Sequence, residues 1–511
     1  MKSTKIRILH VFALTLSVSL FYGEYLGGGL LFAAQDEPAA PDVFAQSAKL
    51  TVSDAADNDF FGNSVVISGD TAVVGTYNDD TPRGNGAGSA YYFTRSGGVW
   101  TQQQKLIASD GVQDDNFGTA LAISGDTLVI GAERDDTAAG SAYVFTRSGN
   151  VWTQQQKLTA FDRSGFDLYG HSVAISGDTI VVGAFNSNIP GAEDAGSAYI
   201  YTRSGTVWTL QQKLTASDGA TQDNFGWSVG ITGDTVVVGA YQDDITTATD
   251  AGSAYIYTRS GTLWTQQQKL TAADGAELDA FGSSVGISGN TVVVGAFFDD
   301  TPRGESSGSA YVYTRSGTVW TEQQHLTASD GAAIDDFGYS VAISGNTIVI
   351  GAVGGNAVSG TNSGSAYVYT RSGTLWTQQQ ELEASDGEAE DFFGSSVAIS
   401  GNTVLVGADF DDTPGGTNAG SAYVYTTPGL TVGGHVFTPS GLALRNAVVI
   451  LTDGDNVRRT ATTSSFGVYS FENVTVGDTY VISVASKRFR FTPQILQFSA
   501  SSSNIDFVGL E

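Results

Sequence analysis

Short runs of alternating apolar and polar residues, separated by Gly-Asp and Ser-Gly pairs, recur along most of this chain. Val, Ile and Tyr dominate the runs, which is typical of β-strands joined by tight turns. The fourth copy predicts four strands, which we call A to D: Ser228–Thr232, Thr235–Ala240, Ser253–Arg259 and Trp264–Leu270. Strict alternation along strand D places Gln266 and Gln268 on the same face of the sheet.

The pattern occurs seven times. Each copy has a Phe-Gly or Tyr-Gly pair ahead of strand A, beginning at Phe61, Phe117, Tyr169, Phe225, Phe281, Phe337 and Phe393. The tryptophans that open strand D are spaced 52 residues once and 56 residues thereafter. A period near 50 residues with four strands per unit is the signature of a β-propeller blade. We therefore predict an all-β chain with a seven-bladed β-propeller over residues 42–429.

The two ends of the repeat region complement each other. The seventh copy has strands A, B and C and then breaks at Thr427-Pro428-Gly429, so it lacks a strand D. Ahead of the first copy, residues 45–51 match the end of a D strand. We expect this early segment to complete the seventh blade and to lock the ring.

The sevenfold Phe-Gly and Gly-Ala pattern resembles the FG-GAP repeats of bacterial secreted proteins and of the integrin α-subunit propeller. The resemblance covers about residues 45–429 and stays in phase throughout. Integrin-like repeats bind calcium in an Asp-x-Asp-x-Asp-Gly loop between strands A and B. Here that loop is a two-residue hairpin turn such as Gly233-Asp234, which has no room for a calcium cage. The calcium ligands of that family therefore do not carry over.

The composition changes from Leu430 onward. Four apolar runs, at 432–437, 447–451, 466–471 and 480–485, predict a small Ig-like or prealbumin-like β-sandwich over residues 430–511. The order of these runs looks like the carboxypeptidase regulatory-like domain, an accessory module without an active site of its own. We expect a spacer or a second contact surface.

Residues 1–34 are predicted to be an export signal. Lys2, Lys5 and Arg7 precede an apolar stretch, and Phe32-Ala33-Ala34 offers small residues near a plausible cleavage point. An uncleaved N-terminal anchor is the alternative, because Glu24 interrupts a long apolar part. No later segment approaches the roughly 18 apolar residues of a membrane span. The sequence thus predicts a secreted or cell-surface protein.

The chain carries a formal charge of −29, with 24 Lys and Arg against 53 Asp and Glu, and it has no cysteine. This excess of acid argues against nucleic-acid partners, which require basic residues. Without cysteine the chain has neither disulfides nor thiolate metal sites.

Strand polarity divides the connections between two faces of the propeller. The D–A and B–C connections form what we call the loop-rich face, and the A–B and C–D turns form the hairpin face. In the fourth and fifth blades the loop-rich face receives Asp218, Asp223, Asp243, Asp244, Asp250, Asp274, Asp279, Asp299 and Asp300. The hairpin face receives Asp234 and Arg259, which cancel. We predict one acidic and one nearly neutral face.

Asp pairs on the loop-rich face, at 79–80, 135–136, 243–244, 299–300 and 411–412, are the remaining calcium candidates, because hard cations prefer several oxygen ligands. Solvated or turn-capping Asp is the alternative. We include Asp243, Asp244, Asp299 and Asp300 among the candidate ligand-binding residues.

A variable position follows each Phe-Gly or Tyr-Gly pair, at the start of the innermost strand. Its seven residues, which we call the contact ring, are Asn63, Thr119, His171, Trp227, Ser283, Tyr339 and Ser395. We hypothesise that the ring contacts a ligand, chiefly through His171, Trp227 and Tyr339. Drift of exposed residues explains the same variation.

Catalytic motifs find little support. The four histidines, His10, His171, His325 and His435, lack the spacing of metal ligands, and the serines occupy Ser-Gly turns without a neighbouring base. The sequence predicts a binding or adhesion protein whose loop-rich face contacts an extracellular protein or glycan. A propeller hydrolase or lyase acting on polysaccharide and a purely structural envelope component are the alternatives.

Overall fold

Seven four-stranded antiparallel sheets make up the first part of the fold. The computed structural model describes residues 43–355, 360–427, 429–453, 458–474, 479–498 and 501–510. In each sheet the strands run in the order A, B, C, D. Strand A of each sheet contacts strand A of the next, and the seventh contacts the first. The sheets therefore close a ring, and the predicted seven-bladed propeller is confirmed.

The strand bounds repeat closely from blade to blade. Strand A comprises Val65–Ser68, Phe117–Ser124, Val173–Ser176, Ser228–Thr232, Ser284–Ser288, Phe337–Ser344 and Ser396–Ser400. Strand B comprises Thr71–Thr76, Thr127–Ala132, Thr179–Ala184, Thr235–Ala240, Thr291–Ala296, Thr347–Ala352 and Thr403–Ala408. Strand C comprises Ser89–Ser96, Ser141–Ser148, Ser197–Ser204, Ser253–Ser260, Ser309–Ser316, Ser365–Ser372 and Ser421–Thr426. Strand D comprises Val99–Leu106, Val151–Leu158, Val207–Leu214, Leu263–Leu270, Val319–Leu326 and Leu375–Leu382, with Ala45–Leu50 serving the seventh blade.

The first described strand closes the ring. This closing strand, Ala45–Leu50, pairs antiparallel with strand C of the seventh blade, from Ala45 opposite Thr426 to Leu50 opposite Ala422. Gln380 of the sixth blade donates to the carbonyl oxygen of Phe44 at 2.7 Å and accepts from its N–H at 2.8 Å. The predicted closure is confirmed.

The core lies between adjacent blades. Strand B is buried along its whole length in the fourth blade, and Trp264 packs with residues of the third blade. Backbones approach closely where a Phe-Gly pair meets the Gly-Ala pair of the preceding blade. Gly282 has a φ of +96°, and a Cβ on Gly239 would collide with the carbonyl oxygen of Gly282. Only glycine fits both positions, which explains why these pairs recur.

A β-bulge in strand D contradicts the strict alternation expected there. Ile256 is opposite Gln268 and Tyr257 is opposite Gln266, so the residue between the two glutamines has no partner of its own. As a result Gln266 bonds to Ser217 in the loop before its own blade, and Gln268 bonds to the backbone of Trp320 in the next blade. The prediction that both glutamines share a face is wrong, because the inserted residue reverses the alternation.

The second blade has a shorter B–C loop, which contains the four-residue helical turn Asp135–Ala138. Asp136, Thr137 and Ala138 all have positive φ. No helix in the described part of the chain is long and apolar enough to cross a bilayer.

Two further sheets follow the propeller. One contains Arg458–Thr462, Val448–Thr452, Thr479–Ala485 and Gln494–Gln497, and the other contains Val468–Val474, Leu430–Phe437 and Phe507–Val508. A single apolar cluster that includes Val449 and Phe471 lies between them. The four predicted strands are present, and three short strands that the sequence did not reveal complete the sandwich.

Candidate functional site

Asp243 is part of a buried ionic clamp on the loop-rich face. Only 3% of the residue is exposed, and its Oδ2 accepts hydrogen bonds from Lys269 Nζ at 2.5 Å and from the Tyr255 hydroxyl at 3.0 Å. Lys269 also contacts Asp218 at 2.8 Å, so one ammonium group joins the D–A loop to the B–C loop. Burial alone would lower the pKa of Lys269, but the hydrogen bonds to Asp218 and Asp243 raise it above its ordinary value. The clamp holds the two loops together.

The same clamp recurs with equivalent residues in three other blades. Its members are Lys105 with Asp54 and Asp79, Lys157 with Asp110 and Asp135, and Lys49 with Asp386 and Asp411. Because Lys49 belongs to the closing strand, the clamp of the seventh blade also holds the ring closed.

In the fifth blade, histidine replaces the lysine of the clamp. His325 stacks on Tyr311 at 4.4 Å, and its Nε2 lies 3.5 Å from Asp299, which is 7% exposed. Burial alone would lower the pKa of His325, but the nearby carboxylates of Asp299 and Asp274 raise it above 6.5. Asp299 thus has the same structural position as Asp243.

In the sixth blade the charges are rearranged. Glu381 occupies the lysine position, and Gly355 occupies the position of the B–C aspartate. The Ser365 hydroxyl donates to Glu381 at 2.7 Å, and the Tyr367 hydroxyl donates to it at 3.3 Å, as the equivalent groups do to aspartate in other blades. Burial and the nearby Asp330 carboxylate raise the pKa of Glu381. Glu381 therefore supplies the hydrogen-bond acceptor that is missing in this blade because Gly355 replaces the aspartate.

Asp244 and Asp300 cap turns within their B–C loops. The Oδ1 of Asp244 accepts the N–H of Asp250 at 2.9 Å, and that of Asp300 accepts the N–H of Ser306 at 2.8 Å. Both residues are exposed. Among the described residues, no group of three or more His, Asp or Glu side chains has an arrangement that could hold a metal ion.

Each D–A loop also contains one buried aspartate just before its Phe-Gly or Tyr-Gly pair. In the fourth blade Asp223 accepts the N–H of Ala220 at 2.6 Å, and burial raises its pKa to about 6. The equivalent residues are Asp59, Asp115, Asp167, Asp279, Asp335 and Asp391. These aspartates fix the loop conformation.

The contact ring divides into two unlike groups. His171 and Trp227 pack together at 4.5 Å, and Trp227 also contacts Phe185 at 4.7 Å and Tyr241 at 4.4 Å. Tyr339 is 43% exposed and contacts Phe297 at 5.5 Å instead. The structure thus brings two of the three principal ring candidates into contact and leaves the third on a separate part of the channel mouth.

A second variable position was missed in the sequence. The residue that follows strand B packs beside the contact ring, and across the seven blades it is Tyr77, Glu133, Phe185, Tyr241, Phe297, Val353 and Asp409. His171 Nδ1 lies within hydrogen-bond distance of Glu133 Oε2, at 2.7 Å. Burial alone would raise the pKa of Glu133, but the hydrogen bond with His171 lowers it. Variation within an otherwise repetitive sequence would have revealed this position.

Residues of both variable positions surround a cavity of about 600 Å³, which we call the mouth cavity. Its uncharged polar side chains are Asn63, Asn78, Asn116, Thr119 and Ser395. Its charged groups are Asp114, Glu133, Asp409 and Arg134, and its aromatic walls are Tyr77, Tyr339 and Phe410. Burial raises the pKa of Asp409 to about 6. The lining comes from the first, second, sixth and seventh blades.

On the hairpin face, an arginine at the end of strand C bonds to the A–B turn of the same blade. Arg259 Nε donates to Asp234 at 2.7 Å, and its guanidinium lies over Trp264 at 5.2 Å. In the fifth blade Arg315 bonds instead to the amide oxygen of Asn290. The Arg259–Asp234 pair is nearly neutral, as predicted for the fourth blade, whereas the partner of Arg315 is uncharged. The division into one acidic and one nearly neutral face stays a prediction.

Comparison with protein-family models identifies the repeats. The model described as FG-GAP repeat matches residues 44–93, 100–145, 152–201, 208–257, 264–313, 320–369 and 376–425, which is more than half of the chain. The chain belongs to the FG-GAP repeat family. No curated protein matches it. The FG-GAP matches end at residue 425, so the carboxypeptidase regulatory-like assignment of the C-terminal sandwich stays a prediction.

The FG-GAP segments are offset by one strand from the blades. The segment at 264–313 starts in strand D of the fourth blade and continues through strands A, B and C of the fifth. The first segment likewise begins at the closing strand. Because every FG-GAP segment gives its D strand to the preceding blade, the first must give its own to the seventh. Ring closure is thus a consequence of the repeat boundaries.

Proposed function

We propose that this FG-GAP protein is an exported, non-catalytic binding or adhesion protein whose loop-rich face contacts an extracellular protein or glycan. One observation carries the proposal. Two positions at which the blades differ, the contact ring and the residue after strand B, lie together at one end of the central channel, while the core is built from repeated side chains. A purely structural ring would have no reason to concentrate its variation there.

Exposed apolar side chains on the same face support a binding role. Phe166, Leu278 and Ile334 are 72%, 57% and 63% exposed, at equivalent positions in three D–A loops. All three also have positive φ, which is costly for large or β-branched residues. Backbone strain of this kind clusters at sites that contact ligands. Asn58 and Asp114 occupy this position in other blades, where they tolerate the same backbone better.

The loop-rich face is also the better candidate by topology. Strand C of the seventh blade ends at Thr426 on the hairpin side, and the C-terminal sandwich begins at Leu430. The chain therefore leaves the propeller at the side opposite the variable residues. We propose that the sandwich acts as a spacer or a second contact surface.

We propose a non-catalytic protein because the candidate carboxylates of the loop-rich face have structural roles. Asp243 and Asp299 belong to clamps, and Asp244 and Asp300 cap turns. Structural roles of this kind recur from blade to blade, whereas an active site singles out a few residues.

Export rests on the sequence of residues 1–34, which lie outside the described residues. The predicted outcome is a mature protein in the culture medium or on the cell surface that begins after Ala34. N-terminal sequencing of the recovered protein tests this: a chain retained in the cytoplasm would contradict the proposal.

The binding experiment uses the full exported chain immobilised on a surface. It is screened against extracellular-matrix proteins and glycans, once with calcium and once with a chelator. We expect saturable binding that Ile334→Asp weakens and that Leu263→Asp, at an exposed position of the hairpin face, leaves unchanged. Turnover of a polysaccharide, or equal loss in both variants, would contradict the proposal.

A further inference from the structure

The mouth cavity differs from the rest of the propeller because its lining is not repeated. From its contacts we infer that it is a binding site for an uncharged saccharide. The inference rests on the proposed function and specifies one ligand of the loop-rich face. Its volume of about 600 Å³ is in the range of small-molecule sites and has room for one or two sugar rings.

Hydrogen-bond acceptors in the cavity are held in fixed positions. Asn63 Nδ2 donates to the Thr119 carbonyl at 3.3 Å, and Asn116 Nδ2 donates to the Tyr77 carbonyl at 3.2 Å. Asn78 Nδ2 is anchored in the same way to a backbone carbonyl at 2.8 Å. Because each amide donates at least one N–H to a backbone carbonyl, the orientations of all three amides are fixed before a ligand arrives. Such preorganisation lowers the entropic cost of binding.

The same lining has more carboxylates than cations. Three carboxylates, from Asp114, Glu133 and Asp409, face a single cation, Arg134. Among the described residues, three buried polar atoms of the lining have no hydrogen-bond partner: Asn63 Oδ1, Asp409 Oδ1 and the hydroxyl oxygen of Ser395. A buried acceptor without a donor costs free energy that a donating ligand recovers. Each hydroxyl of a saccharide can donate such a bond.

Aromatic rings provide the apolar walls that sugar rings require. Tyr77 stacks in parallel on Phe60 at 5.3 Å, and Phe410 packs against the same ring at 4.9 Å. Tyr339 belongs to the sixth blade and is the most exposed ring of the cavity. The neighbouring rings restrain Tyr77 and Phe410, so the C–H face of a sugar can pack on preformed surfaces. Amide and carboxylate acceptors beside aromatic rings thus match a ligand that is both polyhydroxylated and partly apolar.

The test measures dissociation constants by calorimetry on the full chain. The probes are neutral hexose and N-acetylhexosamine oligosaccharides, uronic-acid oligosaccharides, and spermidine as a cation. We expect at least one neutral saccharide to bind, and both Tyr339→Ala and Asp409→Asn to weaken it at least tenfold. The matched control is Tyr241→Ala, which removes a mouth aromatic outside the cavity and leaves affinity unchanged. The melting temperature of each variant identifies any general loss of folding.

Three results would overturn the inference: no neutral saccharide binds, both cavity variants bind as well as the native chain, or spermidine binds more tightly through the same residues. The proposed function fails separately. If the protein screen still finds a partner sensitive to Ile334→Asp, the binding role stands and only the saccharide site is refuted.

Discussion

Removing the closing strand should open the propeller. Residues 43–52 contribute the buried side chains of Phe44, Leu50 and Val52 to the core of the ring. Fully burying an apolar side chain of this size contributes about 1.5–3 kcal/mol, so the three together contribute on the order of 5–9 kcal/mol. Deletion also leaves Asp411 without Lys49. Breaking a buried ion pair by removing one partner costs about 3–5 kcal/mol.

Losses of this size should be plain in thermal unfolding. For a domain of 150–250 residues, 1 kcal/mol shifts the melting temperature by about 2–4 °C, and by less in a larger one. We therefore expect the deletion to lower the melting temperature by about 10 °C or more. The control carries residues 43–52 in scrambled order, which keeps the composition and removes the register. It should behave like the deletion.

A synthetic peptide of residues 43–52 should restore much of the lost stability, because strand addition supplies the missing ladder in trans. The same peptide with Lys49→Met should restore less, since it cannot bridge Asp386 and Asp411. Calorimetric scans at increasing peptide concentration measure both effects. A deletion that lowers the melting temperature by less than about 2 °C would refute the view that this strand locks the ring.

Three further predictions concern the clamps and loops. Gly355→Asp and Glu381→Lys should each lower the melting temperature. The double variant recreates a clamp like that of Asp243 and Lys269, so the two substitutions should show a favourable coupling energy of roughly 0.5–3 kcal/mol. Additive effects of the two substitutions would contradict this. His325 has a raised pKa, so its stabilisation is complete below pH 6.5 and is lost as the pH rises through its folded-state pKa. His325→Lys should therefore remove part of the decline in melting temperature between pH 6 and 8, and an identical pH profile would argue against the clamp. The pKa of Asp223 is raised from 3.8 to about 6, so the stability due to proton binding is present below pH 3.8 and lost as the pH rises through 6. Asp223→Asn should thus maintain or raise the melting temperature at pH 8 relative to the native chain and should give no gain at pH 4. Asp234→Asn is the control at an exposed position. A large loss of melting temperature for Asp223→Asn at pH 8 would contradict the pKa argument.

The blade could be predicted almost residue by residue, because its signals are local. Strand B, Thr235–Ala240, has the predicted bounds, since alternation, turn residues and a terminal glycine all indicate the same element. The bulge in strand D could not be predicted. The bulge lets Gln266 bond to the loop before its own blade and Gln268 to the next blade, and alternation within one strand contains no information about those partners.

For a related reason the sequence predicted the contact ring but not the residues that pack against it. Variation after the Phe-Gly pair is evident in a sequence comparison of the repeats, but the partners of these residues come from neighbouring blades. His171 contacts Trp227 of the next blade and Glu133 of the previous one. Such pairs depend on how consecutive sheets are rotated about the axis, and an intra-blade pattern cannot specify that rotation. In a repeat protein the sequence therefore shows which positions differ between repeats, while the arrangement of the blades in the ring determines which of those residues lie in contact. For this propeller two groups result, an aromatic cluster around Trp227 and a polar cavity beside Tyr339. Glu133 links them, because it lines the cavity and contacts His171. Variants that keep the Glu133–His171 contact should therefore change binding in one group and leave the other unchanged.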